Sequence, residues 1–274
     1  MKVAVIQLAS GPVVESNLQE VKRLARECAL AGAGLVVLPE NFACMGNQET
    51  DKLAIAESHG DGPIQNFVSE LASELNLWIV AGTVPIKSQD PQRVYASCLV
   101  YDATGKPVVR YDKAHLFDVR LTESGETYLE SETIAAGHEL AWFDSPFGRV
   151  GLAVCYDLRF PEMFRNMVNQ GVEIFVIPSA FTATTGRAHW EILLRARAVE
   201  NLSYIMASNQ GGYHVSGRET YGNSMIVNPW GEIQSRMNAG SGFVVAELDR
   251  QRLATLRETF PVLKHQRFQC GKSE

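Results

Sequence analysis

Three residues of this chain combine reactive chemistry with an unusual position. Cys155, Glu40 and Lys113 each follow a strand-like apolar run, so each stands where a strand leaves the core. Cys155 closes Gly151-Leu152-Ala153-Val154 and opens a dense polar turn of Tyr156, Asp157, Arg159, Pro161 and Glu162. A cysteine after a buried strand is commonly an inert core thiol. At a strand-to-turn junction, however, a sulfur lies beside backbone N–H groups, which is what a nucleophile and its oxyanion require. Glu40 follows Leu35-Val36-Val37-Leu38-Pro39 and precedes Asn41 and Phe42. Read singly it is a surface carboxylate; read in place it faces a cleft, where it can take a thiol proton and return it to a departing amine. Lys113 alone is an ordinary exposed lysine, but its neighbours Tyr111, Asp112, His115 and Phe117 suit a site wall.

Other chemistries lack their marks. Gly32-Ala33-Gly34 has no third glycine for a dinucleotide loop, and there is no G-x-x-x-x-G-K-[ST], H-E-x-x-H or G-x-S-x-G. The six histidines, at 59, 115, 138, 189, 214 and 265, lack ligand spacing, so no metal site is expected. With 25 Lys and Arg against 31 Asp and Glu and a net charge of −6, the chain lacks the positive stripe that a nucleic acid or an anionic membrane would need. No window approaches the ~18 uninterrupted apolar residues of a membrane span. The apolar start, broken at Gln7, is too short for a secretory signal. Cys28, Cys44, Cys98, Cys155 and Cys270 are widely spaced without a C-x-x-C, which fits free thiols in a reducing compartment. A cytoplasmic protein acting on a small molecule is expected.

The elements that must position these residues alternate along the chain. Residues 3–8 read as a strand. Asn17 with Glu20 reads as a capping pair opening a helix whose Leu18, Val21, Leu24, Ala25 and Cys28 share one face. A buried strand at 35–38, a helix at 64–75, a strand at 77–82 and a strand pair at 94–101 and 107–111 follow. Residues 118–140 show no period and read as a long loop, a length uncommon unless functional. Residues 150–154 and 172–178 are further buried strands, and His189 and Trp190 begin a helix continuing through Leu194 and Ala198. The alternation is an α/β signature. With no linker in sight, one domain over 1–274 is expected, carrying an extended tail from about 263. Strand, helix, then a strand ending in Pro39-Glu40 is echoed by strand, helix, then a strand ending in Pro178-Ser179, a hint of internal pseudo-symmetry.

Leu38-Pro39-Glu40-Asn41, then Tyr111-Asp112-Lys113-Ala114-His115-Leu116, then Gly151 through Cys155-Tyr156-Asp157-Leu158-Arg159-Phe160-Pro161-Glu162 resemble the three signature blocks of the nitrilase superfamily of carbon–nitrogen hydrolases. Pro178-Ser179-Ala180-Phe181, Gly186-Arg187-Ala188-His189-Trp190, Arg195-Ala196-Arg197-Ala198 and Asn228-Pro229-Trp230-Gly231 are similar to its amidase branch. The resemblance spans nearly the whole chain. It implies an α/β four-layer αββα sandwich, a homodimer or higher homo-oligomer, no metal or organic cofactor, a small-molecule amide substrate, and a Glu–Lys–Cys triad at Glu40, Lys113 and Cys155. A second family glutamate corresponds to Glu130, with Glu123, Glu126 and Glu132 close by in sequence.

In such a site Cys155 attacks an amide to give a thioester, and Glu40 moves the proton and then activates water. Lys113 and the Tyr156 N–H hold the oxyanion, and Glu130 orients Lys113 or the substrate. Tyr156, Phe117, Tyr128, Phe181, Thr182, His189 and Trp190 are candidate pocket residues. Arg159 and Arg187 are candidate partners for a substrate carboxylate, with structural salt bridges as their alternative. The segments 178–181 and 210–225 look most like the branch acting on deaminated glutathione; the branch acting on 2-oxoglutaramate, or another amidase of the family, is the alternative. Outside enzymes, the alternative is a catalytically idle scaffold, which would have no need of Glu40, Lys113 and Cys155 together.

Overall fold

Alternation along the first strand sets the layers of the molecule. In the computed structural model, which describes residues 1–122 and 125–268, β1 (Lys2–Gln7) sends Val3 and Val5 into one apolar cluster and Ala4 and Ile6 into another. There follow α1 (Val14–Leu30), β2 (Leu35–Val37), α2 (Asp51–Ala54), α3 (Pro63–Leu75), β3 (Trp78–Lys87), β4 (Val94–Tyr101), β5 (Pro107–Asp112), β6 (Asp118–Arg120) and β7 (Thr127–Leu129). Next come β8 (Trp142–Ser145), β9 (Gly148–Leu152), α4 (Pro161–Asn169), β10 (Ile174–Ser179), α5 (Ala183–Thr185), α6 (Glu191–Asn201) and β11 (Tyr204–Asn209). The chain then runs through β12 (Gly211–Tyr213), β13 (Glu219–Tyr221), β14 (Met225–Val227), β15 (Ile233–Arg236), β16 (Gly242–Glu247) and α7 (Arg250–Thr259).

Two six-stranded sheets form, ordered β16-β1-β2-β3-β4-β5 and β15-β14-β11-β10-β9-β8. In each, three parallel strands lie at the centre, with Val3 beside Leu35 beside Trp78 in one and Val150 beside Ile174 beside Tyr204 in the other. Antiparallel strands flank both triplets in the same pattern. The pseudo-symmetry hinted at in the sequence is thus a repeat of sheet order. Val3, Val5, Leu35 and Val37 from one sheet share a cluster with Val150, Leu152 and Val176 from the other. On the outer face of the first sheet lie Leu18, Val21 and Leu24 of α1 and Ile64, Val68 and Leu71 of α3. Met163 and Phe164 of α4 and Leu194 and Ala198 of α6 cover the second, where Phe164 meets Phe175 edge-on at 4.9 Å. The architecture is the expected four-layer αββα sandwich, and burial on both faces is why its central strands read as unbroken apolar runs.

Three local expectations need correction. Helix α1 begins at Val14, not at Asn17. Asn17 is buried and turned back on the preceding loop, accepting from the Gly11 N–H at 2.9 Å and donating to the carbonyls of Gly11 and Ala43. Within 118–140, β6 and β7 pair as a hairpin and Glu130–Glu132 make a 3₁₀ turn; three-residue strands are too short to register a period. Gly186–Trp190 form a π turn leading into α6, so His189 and Trp190 precede the regular helix. At the carboxyl end a 3₁₀ turn spans Val262–His265; Glu123 and Cys270 lie outside the described residues. Among the described residues no helix is long and apolar enough to cross a membrane.

Candidate active site

Strand ends from both sheets converge on one side of the sandwich. Beyond β2, the Leu38 N–H bonds the Val80 carbonyl at 2.9 Å, which draws Pro39 and Glu40 against β3. Gly82 permits this approach: its φ is +40°, and a Cβ there would collide with the Pro39 carbonyl oxygen. From the second sheet the Gln210 amide donates to the Glu40 carbonyl at 3.0 Å and to Ser10 Oγ at 2.9 Å, and its Oε1 accepts from the Ser10 N–H. Lys113 follows β5, its N–H still paired with the Ala96 carbonyl at 3.1 Å.

Cys155 follows β9 in a left-handed conformation, φ +48°, which costs a non-glycine residue about 1 kcal/mol or more. Asp157 braces that turn. Fully buried, its Oδ2 accepts from the Val154 N–H at 2.8 Å and the Tyr111 hydroxyl at 2.7 Å. Its Oδ1 accepts from the His115 N–H at 3.1 Å and lies 2.7 Å from His115 Nδ1. One carboxylate therefore ties the Cys155 turn to residues on either side of Lys113.

The Lys113 ammonium donates to Glu40 Oε1 at 2.8 Å and to the two Glu130 oxygens at 2.8 and 2.9 Å. Glu130 also accepts from the Phe117 N–H at 2.7 Å. Lys113 is 1% exposed and Glu40 4%, so burial alone would discharge both. For Glu40, burial pushes the carboxyl up, but the Lys113 charge and hydrogen bonds from Lys113 and Cys155 prevail and hold it below the usual carboxylate range. For Lys113, burial opposes the charge and the Glu130 and Glu40 carboxylates outweigh it, leaving the ammonium well above its ordinary range. Cys155 moves the other way: burial, then the Glu40 charge, push the thiol up by more than Lys113 and the Ala180 backbone pull it down. The resting arrangement is an ionised Glu40 in contact with a protonated thiol, beside an ammonium clamped by two carboxylates. It can pass a proton from sulfur to Glu40 during attack on an acyl carbon and offer Lys113 to the oxygen that gains charge.

A cavity of about 590 Å³ opens over these groups, a size suited to a small organic ligand. Glu40, Lys113, Glu130 and Cys155 line it, as do Phe117, Tyr128, Tyr156, Phe181 and Thr182. The other expected residues lie elsewhere. Trp190 is fully buried, packs behind Phe181 at 4.8 Å and donates its indole N–H to the Asn223 carbonyl, so it backs the wall. The Arg159 guanidinium lies 5.4 Å from the Phe181 ring and 5.8 Å from the Tyr156 ring, both on the cavity wall, with His189 Nδ1 3.3 Å away. Arg187 is largely exposed, 3.8 Å from Glu219.

Sequence reasoning missed Glu49, Lys52 and Arg218 on the cavity wall. The first two sit in an aperiodic polar stretch ordered by Asp51, which accepts from the Asn47 and Gln48 N–H groups. Arg218 lies in the 210–225 segment, whose likeness was noted without assigning it a role. Among the described residues no group of three or more His, Cys, Asp or Glu is placed to hold a metal ion.

The chain matches the carbon–nitrogen hydrolase family over residues 2–258. It is 40% identical over 267 residues to the deaminated glutathione amidase of Yersinia enterocolitica, covering 97% of this chain and 93% of that protein. Against the omega-amidase NIT2 of Bos taurus the identity is 34% over 266 residues, covering 97% and 95%. The crystal structure of the C. elegans NitFhit protein is similar with a TM-score of 0.90 and 36% identity, covering 97% of this chain; the present chain spans 65% of that one. With a family match over nearly the whole length, an αββα sandwich and a Glu–Lys–Cys cluster on its floor, the chain belongs to the carbon–nitrogen hydrolase family and is a hydrolase of carbon–nitrogen bonds.

Proposed function

We propose that this enzyme is a cysteine amidase that cleaves deaminated glutathione to 2-oxoglutarate and cysteinylglycine. The observation that carries the chemistry is the buried cluster of Cys155, Glu40 and Lys113, with the partly buried Glu130 on the Lys113 ammonium. Cys155 Sγ attacks the amide carbon as its proton passes to Glu40. Lys113, aimed by Glu130, and the Tyr156 N–H hold the oxyanion. Collapse breaks the C–N bond, Glu40 gives the proton to the departing amine, and a water activated by Glu40 then hydrolyses the thioester. Arg159, whose guanidinium lies over the Tyr156 and Phe181 rings, is the candidate partner for the keto-acid carboxylate of the acyl half; the exposed Arg187 is less well placed. The substrate choice is supported by relatives named deaminated glutathione amidase at 37–40% identity.

A second reading, turnover of 2-oxoglutaramate to 2-oxoglutarate and ammonia, is favoured by the 34% identity to an omega-amidase. The two separate on purified protein by kcat/KM measured side by side, with Cys155→Ala as control. A preference of ~100-fold for deaminated glutathione, about 2.7 kcal/mol, is expected. The reverse preference would assign the second activity, and an active Cys155→Ala would remove the assigned nucleophile. A cytoplasmic setting, supported by the free Cys28, Cys44, Cys98 and Cys155, and a homodimer complete the proposal.

A further inference from the structure

Three cations line the cavity among the described residues. Two are paired: Lys113 with Glu40 and Glu130, and Lys52 with Glu49 at 2.5 Å. Arg218 is the third. One guanidinium nitrogen donates to the Ala180 carbonyl at 2.6 Å, the plane lies 5.1 Å over the Tyr128 ring, and Nε is buried with no partner. Among the described residues its one carboxylate neighbour is Glu49, at 4.0 Å, a loose ion pair beyond hydrogen-bonding distance whose acid is already held by Lys52. A guanidinium held in place by backbone and an aromatic face, with no carboxylate in hydrogen-bonding distance among the described residues, is preorganised to receive one.

Its place on the wall indicates which half of the substrate it meets. Glu49 and Lys52 belong to the stretch that runs on from Glu40, and Glu40 is the group that hands the proton to the departing amine. The Arg218 charge reaches Glu40 and helps keep that carboxyl low. The acyl half stays on Cys155, against Tyr156 and Phe181.

We propose that Arg218 binds the C-terminal carboxylate of the leaving amine, so that the enzyme selects amides releasing an anionic dipeptide over amides releasing ammonia. This rests on the amidase reading above and deepens it. Loss of the carboxylate from the substrate would leave a partly buried guanidinium without that partner, the kind of penalty that gives polar sites their discrimination.

The test uses the full chain and three substrates: deaminated glutathione, its C-terminal glycinamide, and 2-oxoglutaramate. In the unaltered enzyme, converting the terminal carboxylate to the amide is expected to raise KM about 10- to 100-fold with little change in kcat. Arg218→Gln should raise KM for deaminated glutathione by a similar factor and bring acid and glycinamide together. Its effect on 2-oxoglutaramate, which lacks that carboxylate, should be several-fold smaller, and Arg218→Lys should restore part of the loss. An Arg218 that merely clamps Tyr128 to Ala180 would depress all three substrates equally when removed, and that result overturns the proposal. So does an unaltered enzyme that treats acid and glycinamide alike, a measurement that depends on no variant folding. Absence of turnover on deaminated glutathione removes the amidase reading and this proposal with it; turnover without discrimination removes this proposal alone.

Discussion

At the scale of single residues, the site works because opposed pKa shifts leave base and acid in the right forms at neutral pH. Glu40 must be ionised to accept the thiol proton, and its carboxyl is held low. The acid limb of kcat/KM is therefore expected below the ordinary glutamate value of ~4.3. A limb near pH 6 would contradict the assignment. Linkage has the same sign: a depressed Glu40 adds stability above its unfolded value of ~4.3, lost as pH falls through the folded one. Lys113, raised when folded, adds stability below its unfolded value of ~10.4, lost as pH climbs through the folded one. Lys113→Met should cost about 3–5 kcal/mol in urea unfolding, because it strands the buried Glu40 and the partly buried Glu130; Glu130→Gln, which keeps the Glu40 pair, should cost less. Glu40, Lys113 and Cys155 stood out because each comes just past a strand end, and the likeness of their flanking blocks to the nitrilase superfamily made them a triad. Glu130 stood among four glutamates that sequence alone does not separate, since only the fold of the β6–β7 hairpin decides which carboxylate meets Lys113. Trp190 was placed one layer too far forward, because an aromatic residue on the wall and one behind it have the same composition.

At the scale of elements, close backbone approach aims the side chains. Gly82→Ala would set a Cβ against the Pro39 carbonyl in a left-handed conformation. It should lower stability by about 2 kcal/mol or more and reduce kcat as Glu40 moves. Unchanged melting temperature and kcat would show that β3 does not aim Glu40. The central parallel strands were legible as apolar runs because both their faces are covered. The β6–β7 hairpin and the true start of α1 were not. Three residues carry no period, and Asn17 has the type of a cap while its side chain serves the Gly11 loop instead.

At the scale of the whole molecule, α6 turns Ile192 and Val199 outward, 69% and 47% exposed, a face suited to the proposed homodimer. Sedimentation should give twice the chain mass, and Ile192→Glu should shift it toward the monomer; a monomer at all concentrations would end that proposal. The sheet order carries a further consequence. Glu40, Lys113 and Glu130 leave the ribosome before Cys155, and the sheet that begins with β1 is closed only by β16, near the end of the chain. During synthesis the charged cradle therefore precedes its thiol, and neither half of the sandwich can hydrolyse anything alone. Catalytic competence should arrive late and all at once, when the last strand of the sheets finds the first.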